Sequence, residues 1–191
     1  MRYHHFIFTM AAVYVLCCGV GASDSVAQVL TVKSPDGKLD MSFGMKSLPA
    51  PYALGERPYY RVSFEGRDVL TDSPLGLVFD GAPALDHDLT LKSSSTDSHD
   101  SSWEDRINDN HTVRDHYNEL TVHLEEAAQG ASARRLDIVF RAYNEGIAFR
   151  YLLPQQPALQ HFVLSNEDTG FYFARPAAAF ALKLDSFTTA Y

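Results

Sequence analysis

Apolar and polar residues alternate with a period of two in the part of the chain that follows position 28. Residues 29–33 are rich in β-branched side chains, and residues 39–45 alternate between apolar side chains and polar or small ones. Between them, Ser34-Pro35-Asp36-Gly37 carries the residue types that a tight turn favours. Because alternation leaves one face of an extended segment apolar, this region predicts a first β-hairpin.

Two more hairpins are predicted by the same pattern. Residues 60–64 alternate before the turn at Glu65-Gly66-Arg67, and Val69 and Leu70 follow that turn. Residues 136–142 and 147–151 alternate on either side of the turn at Asn144-Glu145-Gly146. Pro154 then removes a backbone donor, and we expect it to end the strand.

Several short extended segments are predicted between and after these hairpins, and residues 93–110 are predicted to form a polar, acidic surface loop. The short segments are Leu89 to Lys92, Leu120 to Leu124, Phe162 to Leu164, Phe171 to Phe173 and Phe180 to Leu184. Many short strands separated by turns are typical of an all-β protein. We predict a two-sheet antiparallel β-sandwich, supersandwich-like, and expect it to be incomplete at the C-terminus because a patterned segment ends at Tyr191.

Composition is consistent with one domain and limits its partners. The chain has 191 residues, of which 46% are hydrophobic, and this is enough for a single buried core. Its 16 Lys and Arg against 24 Asp and Glu give a formal charge of −8, so a phosphate backbone would be repelled. We therefore expect neither nucleic acid nor a membrane surface as partner.

Residues 1–27 are predicted to be a secretory signal peptide, and residues 28–191 the exported domain. A mostly apolar stretch precedes small residues that fit cleavage after Ala22 or after Ala27, of which we favour Ala27. An uncleaved anchor is the alternative, but the apolar run is shorter than the roughly 20 residues that cross a bilayer. Both cysteines, Cys17 and Cys18, lie in this segment, so we expect the exported domain to contain no disulfide.

Candidate chemistry concentrates in the polar region around Trp103. Its carboxylates could bind calcium, but their spacing matches no calcium loop, and we favour a solvated loop. Trp103 could stack on a sugar ring, or it could be an ordinary packing residue. The spacing of four histidines, His99, His111, His116 and His123, does not predict a zinc site, and no catalytic motif occurs in residues 28–191.

Three segments carry a resemblance to a known family. Residues 114–124, which include His116-Tyr117-Asn118-Glu119-Leu120, look like the "HYNEL" region of the N-terminal domain of glycoside hydrolase family 97. Residues 140–151 resemble the hairpin of that family, and Ser34-Pro35-Asp36-Gly37-Lys38 resembles its opening turn. The resemblance covers roughly residues 29–191.

The resemblance implies a sandwich that packs on a catalytic (β/α)₈ barrel in periplasmic enzymes cleaving α-glucosides or α-galactosides, with calcium at the active site. In the family the catalytic carboxylates lie on the barrel, which would begin beyond Tyr191. A calcium-binding Glu would follow a segment like residues 187–191, so we assign no catalytic residue and no metal ligand to this chain. We expect it to be inactive alone, as a truncated portion of such an enzyme.

Five residues are candidates for carbohydrate binding or for a domain interface: Trp103, Arg114, Tyr117, Asn118 and Glu119. Ordinary roles in strands and turns are the alternative for each of them. Glu119 and Glu145 are not assigned as a catalytic pair. The function predicted is a non-catalytic sandwich that contributes to carbohydrate binding; the alternatives are a free-standing periplasmic carbohydrate-binding module and an interaction subunit that completes another chain.

Overall fold

The structure, a computed structural model, describes residues 28–105, 112–127 and 133–178. These residues form β-strands and one short 3₁₀ helix at Pro157–Leu159. The strands are β1 (Val29–Lys33), β2 (Leu39–Ser47), β3 (Glu56–Phe64), β4 (Arg67–Pro74), β5 (Leu77–Phe79), β6 (Ala82–Leu85), β7 (Leu89–Glu104), β8 (Thr112–Glu126), β9 (Arg135–Ala142), β10 (Ile147–Leu152) and β11 (Leu164–Glu167). None of these residues belongs to a helix that is long and apolar enough to cross a bilayer.

The first sheet is an antiparallel meander in the order β1-β2-β3-β4. The β1–β2 hairpin turns at Gly37, which has a φ of 72°, and the β3–β4 hairpin turns at Glu65 and Gly66, with φ of 49° and 74°. Positive φ at both central residues is what a tight hairpin turn requires. The first two predicted hairpins are therefore confirmed.

The second sheet has the order β10-β9-β8-β7, and the predicted third hairpin is its β9–β10 pair. Strand β8 pairs with β9 only from Asn118 to Glu125, whereas it pairs with β7 along its whole length. Residues 112–117 and the end of β7 opposite them therefore extend past β9 as a two-stranded ribbon.

The core lies between these two sheets and is built by the alternating apolar residues. Phe43 of the first sheet faces Phe140 of the second, with ring centroids 6.0 Å apart. Tyr60 packs on Phe149 with centroids 5.2 Å apart, and its hydroxyl donates to the carbonyl of Gly170. The predicted all-β sandwich is confirmed, and its core contains the residues that the period of two places on one face.

A small third sheet, in the order β11-β5-β6, was not predicted. Its strands β5 and β6 have 3 and 4 residues, too few for an alternating pattern to be recognised. Leu77 and Leu85 nevertheless join the core, with 3% and 0% of their surface exposed.

Three sequence predictions are wrong. Residues 93–104 do not form a loop but continue β7 as a 16-residue edge strand, whose polar side chains are exposed on both faces and so show no apolar alternation. Phe162 and Val163 precede β11 instead of forming a strand, and Phe171 to Phe173 contribute only a single bridge, between Phe173 and Leu70. Residues 1–27, 106–111 and 180–184 lie outside the described residues.

Candidate functional site

The side chains of β8 and β9 that alternate with the core residues form a second surface, which we call the outer face. It is defined by Tyr117, Glu119, Arg141, Tyr143 and Arg150 of strands β8 to β10 and the segment joining β9 to β10. Since successive side chains of a strand point to opposite faces, these residues are directed away from the first sheet. Polar and aromatic residues thus share a surface where a ligand or another domain could bind.

Glu119 and Arg141 lie directly opposite each other on β8 and β9. Arg141 Nε donates to Glu119 Oε2 at 2.8 Å, and the guanidinium carbon lies 4.1 Å from the ring centroid of Tyr117. Burial alone would lower the pKa of Arg141, but hydrogen bonds with Glu119 and Tyr143 raise it above its ordinary value. The Arg141 side chain is therefore held in one position and remains charged.

Three rings form a row across the outer face. His99 of β7 stacks on Tyr117 with centroids 5.1 Å apart, and Tyr143 packs on the other side of Tyr117 at 5.2 Å. Only 8% of the Tyr117 surface is exposed, because His99, Arg141 and Tyr143 cover its ring. Tyr117 therefore organises this face and offers no free ring surface for stacking.

Trp103 lies near the end of the ribbon, opposite Val113, and 53% of its surface is exposed. By the alternation of the strand it is on the same side of the ribbon as His99. Arg114 points to the other side and forms a bidentate ion pair with Asp100, through distances of 2.7 and 2.6 Å. This hydrogen bonding lowers the pKa of Asp100.

Asn118 has a structural contact between the two sheets. Its Nδ2 donates to the carbonyl oxygen of Lys33 at 2.8 Å, which joins β8 to the end of β1. Together with Glu119, Asn118 also lines a surface pocket of about 450 Å³ beside β1 and β7. Of the five candidates, the structure therefore brings Tyr117 and Glu119 together on the outer face and places Trp103 farther along on the same side. Arg114 lies on the other side of the ribbon, and Asn118 is joined to β1.

A pocket of about 140 Å³ opens on the outer face between β9 and β10. It is lined by Val139, Arg141, Tyr143, Ala148, Phe149 and Arg150. The sequence analysis selects none of these residues as site candidates, although all except Val139 lie in residues 140–151, which carry the resemblance. One feature of the sequence could have indicated them: within residues 140–151, Arg141 and Arg150 alternate with the apolar residues of the core.

An apolar patch lies on another part of the sandwich, where the chain runs beside β4 after β11. It consists of Phe171, Tyr172 and Phe173, which are between 45% and 59% exposed, whereas the exposed residues Phe162, Val163 and Leu164 lie just before and at the start of β11, beside β5. Phe171 and Phe173 line a groove beside Phe64 and Val69. Large exposed apolar patches are uncommon on isolated soluble domains and mark surfaces that contact other molecules or domains.

No group of three or more His, Cys, Asp or Glu side chains that could hold a metal ion occurs within residues 28–105, 112–127 and 133–178.

Comparison with known proteins identifies similar sequences and folds. The family model described as "Glycosyl-hydrolase 97 N-terminal" matches residues 32–191. A retaining alpha-galactosidase of Bacteroides thetaiotaomicron is 28% identical over 138 residues, which are 72% of this chain and 18% of that protein.

Solved structures give the same result. A glycoside hydrolase family 97 enzyme of Pseudoalteromonas sp. strain K8, solved in complex with panose and with acarbose, is 26% identical with a TM-score of 0.66. The match covers 76% of this chain and 20% of that one. A beta-arabinopyranosidase is 30% identical with a TM-score of 0.63, over 75% of this chain and 21% of that one. The chain thus spans about a fifth of the length of these relatives.

Proposed function

Because this chain belongs to glycoside hydrolase family 97, whose N-terminal domain its sequence matches over residues 32–191, we propose that it serves as the non-catalytic sandwich of a secreted, periplasmic glycosidase. In this proposal the sandwich packs on a catalytic (β/α)₈ barrel and contributes to binding the oligosaccharide. In this proposal calcium lies at the active site of the whole enzyme, and none of the described residues is proposed as its ligand.

The apolar patch carries this proposal. Its three aromatic residues are between 45% and 59% exposed, and moving a large apolar side chain from full exposure to full burial is worth about 1.5–3 kcal/mol, so about half of that is available for each ring. A surface of this kind is stabilised when another domain covers it. Packing of the patch against a barrel would remove these rings from water without any change in the core of the sandwich.

The relatives support a proposal for the substrate class of the whole enzyme. One is named a retaining alpha-galactosidase, and another was solved with the oligosaccharides panose and acarbose. We propose that the whole enzyme acts on an α-glucoside or an α-galactoside. The catalytic carboxylates would come from the barrel, since we assign none to this chain.

Purified residues 28–191 are expected to release no nitrophenol from aryl α-glucosides or aryl α-galactosides above the buffer rate. Mixed with the separately produced barrel of the Pseudoalteromonas relative, they are expected to form a one-to-one complex that calorimetry detects. Phe171→Ser combined with Phe173→Ser should weaken this complex at least about tenfold, because the two substitutions remove two apolar rings from the interface.

The matched control is Val29→Ser, which changes a residue that is 56% exposed on β1, at the other edge of the first sheet from β4. It should leave the affinity for the barrel unchanged. Turnover by the sandwich alone, or an affinity for the barrel that does not respond to the patch substitutions, would contradict the proposal.

Trp103 favours a second candidate, a free-standing carbohydrate-binding module. Its ring is 53% exposed at the end of a polar ribbon, and aromatic rings with polar neighbours suit a ligand that has one apolar face and hydroxyl edges. Calorimetry with maltooligosaccharides and galactosides should then show binding that Trp103→Ala reduces about tenfold or more, the effect of losing one stacked ring. A folded sample that gives no heat with either sugar eliminates this candidate.

A further inference from the structure

The pocket on the outer face combines positive charge with the absence of any acidic lining residue. Its six lining residues include Arg141 and Arg150 and no Asp or Glu. The whole chain carries a formal charge of −8, so this local excess of positive charge is opposite in sign to the chain as a whole. Charge concentrated in a concave site attracts a ligand of the opposite sign.

The two guanidinium groups are neighbours on adjacent strands. Arg150 lies opposite Val139, and Arg141 lies opposite Ala148, so the two arginines are diagonal neighbours on one face. Arg141 is paired with Glu119, whereas Arg150 forms no ion pair or side-chain hydrogen bond with any residue in the described ranges. Arg150 therefore carries a positive charge that no acidic side chain in the described ranges balances, and an anion in the pocket would pair with it.

The remaining lining residues are apolar or aromatic. Val139 and Ala148 are small aliphatic side chains, and Tyr143 combines a ring with a hydroxyl group. The volume of about 140 Å³ equals the share of roughly five water molecules in the liquid. This space suits one sugar ring with a charged substituent better than it suits an extended chain.

We propose that this pocket binds a hexuronate, a sugar residue that carries a carboxylate. The carboxylate accepts hydrogen bonds from the guanidinium groups of Arg150 and Arg141, which match its two oxygens in geometry. The ring lies over Val139 and Ala148, with Tyr143 beside it. The inference rests on the proposed role in carbohydrate binding and names the class of sugar that the outer face selects.

Calorimetry or chemical-shift titration of residues 28–191 with methyl glucuronide and methyl galacturonide tests the proposal. Binding of at least one of them is expected, with the matching neutral methyl glucoside or galactoside at least about tenfold weaker, because charge-assisted hydrogen bonds are lost. The affinity for the uronide should fall as salt is added, since salt screens exposed charges.

Arg150→Gln should weaken uronide binding at least about tenfold, and Arg150→Lys should weaken it less, since a lysine keeps the charge but not the bidentate geometry. Arg67→Gln is the control, because Arg67 is also exposed and without an ion pair to any described residue, but lies on β4 of the first sheet. It should leave uronide affinity unchanged.

Three results would overturn the inference. Equal affinity for the neutral glycosides would show that the carboxylate is not recognised. Equal affinity for acetate or phosphate would reduce the pocket to a general anion site, and tighter binding of an N-acetylglutamate amide would identify it as a pocket for a protein carboxylate. The affinity of Arg150→Gln for the barrel is measured in parallel. If this variant loses uronide binding but still binds the barrel, the inference about the pocket is tested separately from the proposed function.

Discussion

Phe140→Ala is expected to lower the free energy of unfolding by about 3–5 kcal/mol, the largest effect we predict for a single side chain. Phe140 is fully buried at the centre of β9 and lies 6.0 Å from Phe43 and 5.9 Å from Phe149, ring centroid to ring centroid. Removing the ring loses contacts with both sheets at once. The surrounding strands are hydrogen-bonded on both sides, so the cavity cannot collapse fully.

Urea denaturation of residues 28–191, followed by circular dichroism, measures this change. Val163→Ala is the control and should change the free energy of unfolding by less than about 0.5 kcal/mol, because Val163 is 62% exposed. If Phe140→Ala does not fold, Phe140→Leu keeps most of the volume and should cost about 1–1.5 kcal/mol. A cost for Phe140→Ala no larger than that of the control would show that the two sheets do not pack at this position.

Glu126→Gln is expected to cost about 3 kcal/mol, because it leaves the buried charge of Arg134 without its counter-ion. Arg134 is 6% exposed and donates to both carboxylate oxygens of Glu126, through Nε at 2.8 Å and Nη2 at 2.6 Å. The same guanidinium lies 5.3 Å from the ring centroid of Phe79, in β5. The pair therefore joins the end of β8 to the third sheet, and its loss should destabilise the packing of both.

Glu125→Gln is the matched control, since it is the same substitution one residue earlier. Glu125 pairs with Lys92, and 35% and 53% of the two side chains are exposed, so this pair is worth about 0–1 kcal/mol. Chemical denaturation of the two variants should separate them clearly. Equal costs for both would mean that the Arg134–Glu126 pair contributes no more than a surface ion pair.

The same pair predicts a dependence on pH. Hydrogen bonds from Arg134 lower the pKa of Glu126 below its ordinary value of 4.5, against the opposing effect of burial. A lowered pKa in the folded state means that this stabilisation is fully present above about pH 4.5 and is lost as the pH falls through the folded value. Glu126→Gln should remove this part of the acid sensitivity, and denaturation of both forms between neutral and acidic pH measures it.

The candidate site was only partly predictable. Tyr117 and Glu119 were selected from a short motif, and they do lie together on the outer face. Arg141 and Arg150 were not selected, because a charged residue in an alternating strand has the same pattern whether it faces bulk water or lines a pocket. The ion pair of Glu119 with Arg141 depends on the register of β8 against β9, which the local sequence does not specify.

The sequence by itself determined the three hairpins, the core face of their strands and the family, because alternation and turn residues act over neighbouring positions. Only the tertiary structure decided which strands pair, how far β7 extends, and where a third sheet adds Leu77 and Leu85 to the core. Those features depend on contacts between residues far apart in the chain. The polar strand from Ser93 to Glu104 shows this best, since it is a strand through its hydrogen bonds to β8 and not through any apolar pattern of its own.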